Sequence, residues 1–390
     1  MAVQGKHALI FGASGISGWS LMKQCVSYPT PSTFAHITGL CNRPVDKQNL
    51  FLPDDPRLNI VSGIDLTAPL ETVVSELKKK VPSVEDVDIV FFCAYIQTND
   101  HASLREVNTA LLKTAVQAIT TASNKVSTII LQTGGKGYGL EFPGKVSIKT
   151  PLHEDLPRIP EPYRSKIFYY DQYDLLERMS QEAGCTWTFS EIRPDGIVGF
   201  APVSNAMNMA HGIAFYLSIY RVVFGKGAKV SFPGKKHGYY STHSDTFQDV
   251  LSKMEIYAAV NRGRCGNGSV FNVGDGETVT WSGVWPGICE YFSLVGVEPE
   301  EEKEKGSMEG FVQGHMKEWQ GFVEKYGLQR GSVECQNWGH TDFMLVDFDF
   351  NREYSLEKAR AVGFDERIDT VQGYTVVFDR MAEAQLIPKI

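Results

Sequence analysis

The 390-residue sequence lacks the features that mark several large protein classes. Positive charge is in short supply: 38 Lys and Arg against 46 Asp and Glu give a net charge of −8. A nucleic-acid partner is therefore not expected, because phosphate binding calls for a basic surface. No apolar run reaches the roughly 18–20 residues needed to cross a bilayer, so no membrane span is expected. Residues Met1 to His7 carry no apolar leader core and run straight into a strand pattern, so the expected location is cytoplasmic. The seven cysteines (25, 41, 93, 185, 265, 289 and 335) are odd in number and form no CxxC pair. They read as reduced, partly buried thiols. The nine histidines make no HxxH or HxxxH pattern, and no metal site is expected. Internal repeats and low-complexity tracts are also missing.

What remains is an alternation of two periods over the first 200 residues. Short, almost continuously apolar runs begin at Ala8, Phe34, Leu58, Asp88, Val126 and Trp187. Helical spacing lies between them, over 17–26, 70–80, 104–123 and 169–182. Such βα units predict an α/β protein with a doubly wound, Rossmann-type parallel sheet covered on both faces. After residue 200 the pattern loosens, and 206–223 reads as one long helix. The expected organisation is a dinucleotide-binding part over 1–200. A smaller, mainly helical substrate-binding or lid part follows over 201–390, with some segments returning to the sheet.

The first βα turn reads Gly12-Ala13-Ser14-Gly15-Ile16-Ser17-Gly18. Glycines there let backbone approach a pyrophosphate, and the helix start offers N–H donors. The spacing is GxxGxxG, close to the extended short-chain dehydrogenase form. An NAD site usually places Asp or Glu after the second strand, to accept from the ribose 2′-hydroxyl. Here the segment is Cys41-Asn42-Arg43-Pro44, and Arg43 with Asn42 can pair with a 2′-phosphate. Ser14 can add a donor, so NADP(H) is expected over NAD(H). Asp65 is placed to accept from an adenine amino group. Gly12, Gly15, Ile16, Leu66, Ala94, Tyr95, Gln132, Ile197 and Ser204 complete the candidate cofactor contacts.

Short-chain dehydrogenases carry a Tyr-x-x-x-Lys pair on the helix after the fifth strand. The helix here reads Phe168-Tyr169-Tyr170-Asp171-Gln172-Tyr173-Asp174-Leu175-Leu176-Glu177, and none of its tyrosines has that lysine. A lysine stands instead just past the fifth strand, in Leu131-Gln132-Thr133-Gly134-Gly135-Lys136. With the glycine turn, Asn42-Arg43-Pro44, Arg193-Pro194, Ile197 to Phe200, Phe232-Pro233-Gly234 and Leu386-Ile387-Pro388, these residues carry a resemblance. The chain resembles the progesterone 5β-reductase/iridoid synthase-like (PRISE) group of atypical extended short-chain dehydrogenases, of fungal type, over nearly its whole length. It departs from that group at Gly137, where His is common, at Tyr95, where Trp is frequent, and at Asn42, where a first Arg stands.

The resemblance implies 1,4-reduction of an activated C=C bond by NADPH, with Lys136 as the catalytic lysine and Tyr170 as the catalytic tyrosine. Tyr169 and Tyr173 then read as packing or rim residues. Tyr95, Phe142, Met207 and Phe343 are candidates to line a pocket for a small hydrophobic carbonyl compound. Core packing is an equal alternative for Met207 and its neighbour Met209. A ketone reductase, or a non-redox isomerase or cyclase, fits the same residues. The intact Lys136–Tyr170 pair argues against a nucleotide sensor without turnover. A homodimer is compatible with the sequence.

Overall fold

Ala8, Leu9, Ile10 and Phe11 are each at most 1% exposed. A strand with no solvent face belongs inside a sheet covered by helices on both sides. The structure, a computed structural model, describes residues 5–202, 207–300 and 307–389. It contains that sheet. The strands are β1 (Lys6–Phe11), β2 (Phe34–Cys41), β3 (Leu58–Ser62), β4 (Ile89–Phe92), β5 (Thr128–Gln132) and β6 (Thr188–Pro194). Across the sheet the order is β6-β5-β4-β1-β2-β3, and a late strand, Ser269–Val273, adds to the outer edge of β6. Every neighbouring pair is parallel. The chain winds from β1 out to β3, then returns to β4 and winds the other way. The carboxyl ends of β1 and β4 therefore flank the switch point, where such sheets bind ligands.

The intervening helices are α1 (Ile16–Cys25), α2 (Leu70–Lys80), α3 (His101–Ala122) and α4 (Phe168–Glu182). Local chemistry sets their ends. In α2, Glu71 lies in the first turn and Lys78 to Lys80 in the last, matching the helix dipole. Asp100 caps α3 by accepting from the Ser103 N–H at 2.8 Å. Arg105 on α3 forks onto Asp171 in the first turn of α4, at 2.6 Å for both bonds.

Two units make up the chain. The first holds Met1–Pro194, Asp249–Val273 and Ser355–Glu366; the second holds Asp195–Gln248, Gly274–Tyr354 and Arg367–Ile390. The late strand thus belongs with the parallel sheet. The second unit is mainly helical. Its helix α5 (Met209–Phe224) begins just beyond the expected start at Ala206, which lies outside the described residues. The short strands Gly196–Val198 and Asp245–Phe247 pair in parallel within this unit. Below them, Arg352 Nε meets Asp195 Oδ2 at 3.1 Å, and the Tyr374 hydroxyl donates to Asp245 Oδ2 at 3.1 Å. Among the described residues no helix is long and apolar enough to cross a membrane.

One buried amide fixes the loop that leaves β4. Asn108 on α3 is fully buried, accepts from the Ile96 N–H at 2.9 Å and donates to the Ile96 carbonyl at 2.9 Å. Asn108→Ala leaves two backbone groups without partners, and we expect it to lower unfolding free energy by about 2 kcal/mol or more. Urea unfolding followed by tryptophan fluorescence measures this. A loss below about 0.5 kcal/mol, the size of an ordinary surface change, would contradict it.

Candidate active site

The glycine turn between β1 and α1 has the form the sequence led us to expect. Gly12 has φ +89°, and a Cβ there would lie 2.9 Å from Ala94 N and from Cys93 C and O. Only glycine permits this approach of the β1 turn to the end of β4. Gly15 N–H donates to Gly12 O at 3.1 Å, and Gly15 then caps α1 in extended geometry. The first turn of α1 therefore opens directly from the loop. Burial pushes the Cys41 thiol up, and the neighbouring Ser14 counters that push.

Asn42 and Arg43 follow β2 and are exposed. Among the described residues Arg43 has no ion-pair partner. Asp65 is exposed, and its Oδ1 accepts from the Thr67 N–H at 2.9 Å and hydroxyl at 2.7 Å, which holds the carboxyl below its usual range. Leu66 beside it is buried. Gln132 ends β5 with a buried Oε1 that has no hydrogen-bond partner among the described residues. A close-packed glycine cradle, a free guanidinium and an orphaned buried acceptor together fit a dinucleotide. Ile197 is half-buried in the second unit, in a strand paired with Asp245–Phe247. Ser204 lies outside the described residues.

Past β5 the chain makes a tight turn, Gly135–Tyr138, that carries Lys136. Burial explains its position. The Tyr138 hydroxyl donates to Asn272 Oδ1 at 2.6 Å on the late strand. The Asn272 amide in turn donates to the Leu152 carbonyl at 2.9 Å and the Ser355 carbonyl at 3.1 Å. Lys136 Nζ pairs with Glu141 Oε1 at 2.6 Å, with both side chains about a quarter exposed or less (25% and 21%). This pair has no signature in the sequence, because lysine and glutamate meet only through the loop that follows the turn. A second carboxylate, Glu191 on β6, is saturated: Thr133 donates its hydroxyl at 2.5 Å, and Arg193 donates at 2.8 and 3.0 Å.

The two tyrosines at the start of α4 point differently, as neighbours on a helix must. Tyr170, the expected donor, is 6% exposed and already engaged. Its hydroxyl donates to the Gly137 carbonyl at 2.6 Å and accepts from the Ile159 N–H at 3.2 Å. Its ring packs with Val146, Ile159 and Ile167, against which Phe142 and Tyr169 also lie. The Arg158 guanidinium sits 4.8 Å above it. Tyr169, expected to be a packing or rim residue, sends its hydroxyl toward the end of β5. Gly134 there has φ +159°, and a Cβ on it would lie 3.8 Å from the Tyr169 hydroxyl oxygen. Among the described residues that hydroxyl has no hydrogen-bond partner. Burial first, then the charge of Glu141, pushes this phenol well above its ordinary range. Tyr95 is pushed up to about 12 by the same two causes, and its ring stacks on Phe168 at 6.0 Å.

Phe142 contacts Tyr163 at 4.8 Å and His101 at 6.0 Å between ring centroids. Met207 and Phe343 belong to the second unit. Met207 is half-buried just ahead of α5, and Phe343 opens the π-helical segment Phe343–Asp347 and packs on Phe348 at 4.4 Å. Among the described residues no group of His, Cys, Asp and Glu could hold a metal ion.

The sheet order and the glycine turn define a Rossmann protein of the short-chain dehydrogenase type. Solved structures agree in fold: the UDP-Glc/GlcNAc 4-epimerase from Campylobacter jejuni covers 97% of this chain and 100% of its own, with TM-score 0.62 at 13% identity. The UDP-glucuronic acid 4-epimerase from Bacillus cereus, solved in complex with NAD, covers 97% and 99% with TM-score 0.57 at 15% identity. In sequence, short chain dehydrogenase ausT of Aspergillus calidoustus is 35% identical over 98% of this chain and 94% of that protein. The (S)-8-oxocitronellyl enol synthase of Nepeta cataria is 29% identical over 92% of this chain and 85% of that protein. Residues 8–388 match the PRISE-like Rossmann-fold domain, and the chain belongs to that family of short-chain dehydrogenase-type oxidoreductases. The resemblance carried by Lys136, Tyr169-Tyr170 and the glycine turn is thereby borne out.

The contacts around Gly12 make a direct test of the cradle. Gly12→Ala must displace the Cys93–Ala94 backbone and hold alanine at positive φ, so we expect a stability loss of about 1–3 kcal/mol. Calorimetric unfolding checks this; a melting curve superimposable on the wild type would refute the close approach.

Proposed function

We propose that the protein is an NADPH-dependent reductase of an activated C=C bond, acting by 1,4-reduction of an enone or enal in a small hydrophobic carbonyl compound of secondary metabolism. The observation that carries this reading is a spare phenol hydroxyl, that of Tyr169, at the carboxyl end of β5 near the Lys136 turn. The glycine turn, Arg43 and Gln132 are the residues that would hold the dinucleotide, with Arg43 on the 2′-phosphate. When bound, the cofactor supplies a hydride.

The chain's own residues do the rest. As a C–H bond forms at the β-carbon, the π electrons move to the carbonyl oxygen. Charge then grows on that oxygen, and a donor fixed beforehand lowers the barrier more than one that must be recruited. Tyr169 can donate because its hydroxyl is unengaged and, at neutral pH, protonated. Tyr170 would have to break two buried hydrogen bonds to do the same, a cost of about 1–3 kcal/mol for each group left unpaired. We therefore assign the donor role to Tyr169 and give Tyr170 the task of holding the Lys136 turn through Gly137. Lys136 would help to hold the polar groups of the cofactor. Phe142 and Tyr95 supply apolar surface beside the tyrosine. The enolate takes its α-proton from water or a second group. The name of the similar enol synthase supports an enol or enolate product stage.

Two measurements test the reading. In steady-state assays at the nicotinamide absorbance band, with 2-cyclohexenone as probe, Tyr169→Phe should lower kcat about a hundredfold with little change in NADPH binding. Tyr170→Phe should cost much less in kcat and more in stability; the reverse ranking would return the role to Tyr170. For cofactor choice, NADPH should bind at least about tenfold more tightly than NADH, roughly 1.4 kcal/mol. Arg43→Ala should remove most of that gap, and equal wild-type affinities would sink the NADP assignment.

A further inference from the structure

Lys166 plays no part in the reading above, yet it stands three residues ahead of Tyr169. It closes the short turn Arg164–Lys166 that leads into α4. Its side chain is half-buried, and its ammonium lies 5.6 Å from the centre of the Phe142 ring and 5.4 Å from that of Tyr163. Those two rings meet each other at 4.8 Å. Both pack, as Tyr169 does, against the buried cluster of Val146, Ile159, Ile167 and Tyr170. The ammonium therefore stands over rings that share a packing cluster with the unengaged phenol.

The charge of Lys166 is not answered within the chain. Among the described residues its ammonium makes no ion pair and donates no hydrogen bond. The carboxylates closest to it in sequence are engaged elsewhere. Glu161 accepts from the Ser165 N–H at 3.3 Å, and Asp171 is held by the Arg105 fork at 2.6 Å. Glu141, next to Phe142, is paired with Lys136 at 2.6 Å. A second cation strengthens the positive field: the Lys145 N–H donates to the Phe142 carbonyl at 3.1 Å, and its ammonium has no ion-pair partner among the described residues. Ring faces attract an ammonium but leave its outward N–H groups without an acceptor oxygen. A lysine already ordered by two rings loses less freedom when an anion arrives than one free in solvent.

We propose that Lys166, held over Phe142 and Tyr163, is a specificity-determining residue that binds a carboxylate on the substrate, so that the preferred substrate is an anionic carbonyl compound with an apolar body. This rests on the reductase reading above and names the substrate class of that same site. The cofactor does not need this cation. Its phosphates belong with the glycine turn after β1 and with Arg43 after β2, whereas Lys166 leads into the helix that follows β5. The body of the substrate lies on the aromatic rings, and its carboxylate meets the ammonium at their edge.

The experiment titrates two probes into the full chain with NADP+ present, by isothermal titration calorimetry. One is benzalacetone carrying a para-carboxylate, and the other is its methyl ester. Oxidised cofactor has no hydride to deliver, so affinity is read without turnover. The acid should bind about tenfold more tightly than the ester, or better. Lys166→Gln should remove most of that gap, Lys166→Arg should keep it, and Lys166→Glu should place the acid below the ester. The gap is the readout, so a variant that merely loosens the fold weakens both probes alike and leaves the ratio in place. Equal wild-type affinities, a gap that survives Lys166→Gln, or an acid that does not bind would overturn the proposal. The reductase reading fails separately, if no enone oxidises NADPH. Turnover of 2-cyclohexenone together with equal binding of acid and ester would remove this inference alone.

Discussion

The hydrogen bond from Tyr138 to Asn272 holds the site together. Lys136 sits on a turn of four residues, too short to define its own place. Tyr138 closes that turn by reaching the late strand at 2.6 Å, where the Asn272 amide is already bound to the Leu152 and Ser355 carbonyls. All the groups involved are buried, so breaking one leaves the others without water to replace it. A chain segment more than a hundred residues downstream thus sets where the lysine points. This gives a physical reason for the late strand to return to the parallel sheet rather than remain with the second unit.

The same economy of hydrogen bonds separates the two neighbouring tyrosines. Consecutive residues on a helix point about 100° apart, so at the start of α4 only one phenol can face the end of β5. Tyr170 takes the inward direction and is satisfied on both sides of its oxygen. Tyr169 is left beside Gly134, in ordinary van der Waals reach of that position. A group meant to stabilise charge that appears only during reaction must have no strong partner before it. Of the two, Tyr169 meets that condition.

Much of the fold was legible because its signals are local. The buried runs at Ala8 to Phe11 and Ile89 to Phe92, the helix over 70–80 and the glycine turn each announce themselves within a dozen residues. The strand Ser269–Val273 was not legible as part of the sheet, since a short apolar run says nothing about which edge it will join. The site was legible in part. Lys136 and the Tyr-Tyr pair stand out against the missing Tyr-x-x-x-Lys, but the choice between Tyr169 and Tyr170 depends on the Ile159 N–H and the Gly137 carbonyl. Those partners come from loops without periodicity. Glu141 was invisible for the same reason: its meaning lies in the ammonium it touches.

Two carboxylates near the tyrosines show how environment divides one chemistry into two uses. Glu191 is 1% exposed, and a bare charge there would be untenable. It is bound on both oxygens by Arg193 and on one by Thr133, and so acts as a structural pin under the end of β5. Glu141 is more exposed and holds a flexible ammonium instead of a rigid guanidinium fork. Lysine moves and exchanges partners far more readily than arginine in such a bidentate grip. The pin keeps the sheet edge fixed, while the exchangeable pair sits at the turn that carries Lys136. The hydride addition proposed for this site calls for a frame that does not move, and Glu191 with its fixed partners supplies one at the end of β5.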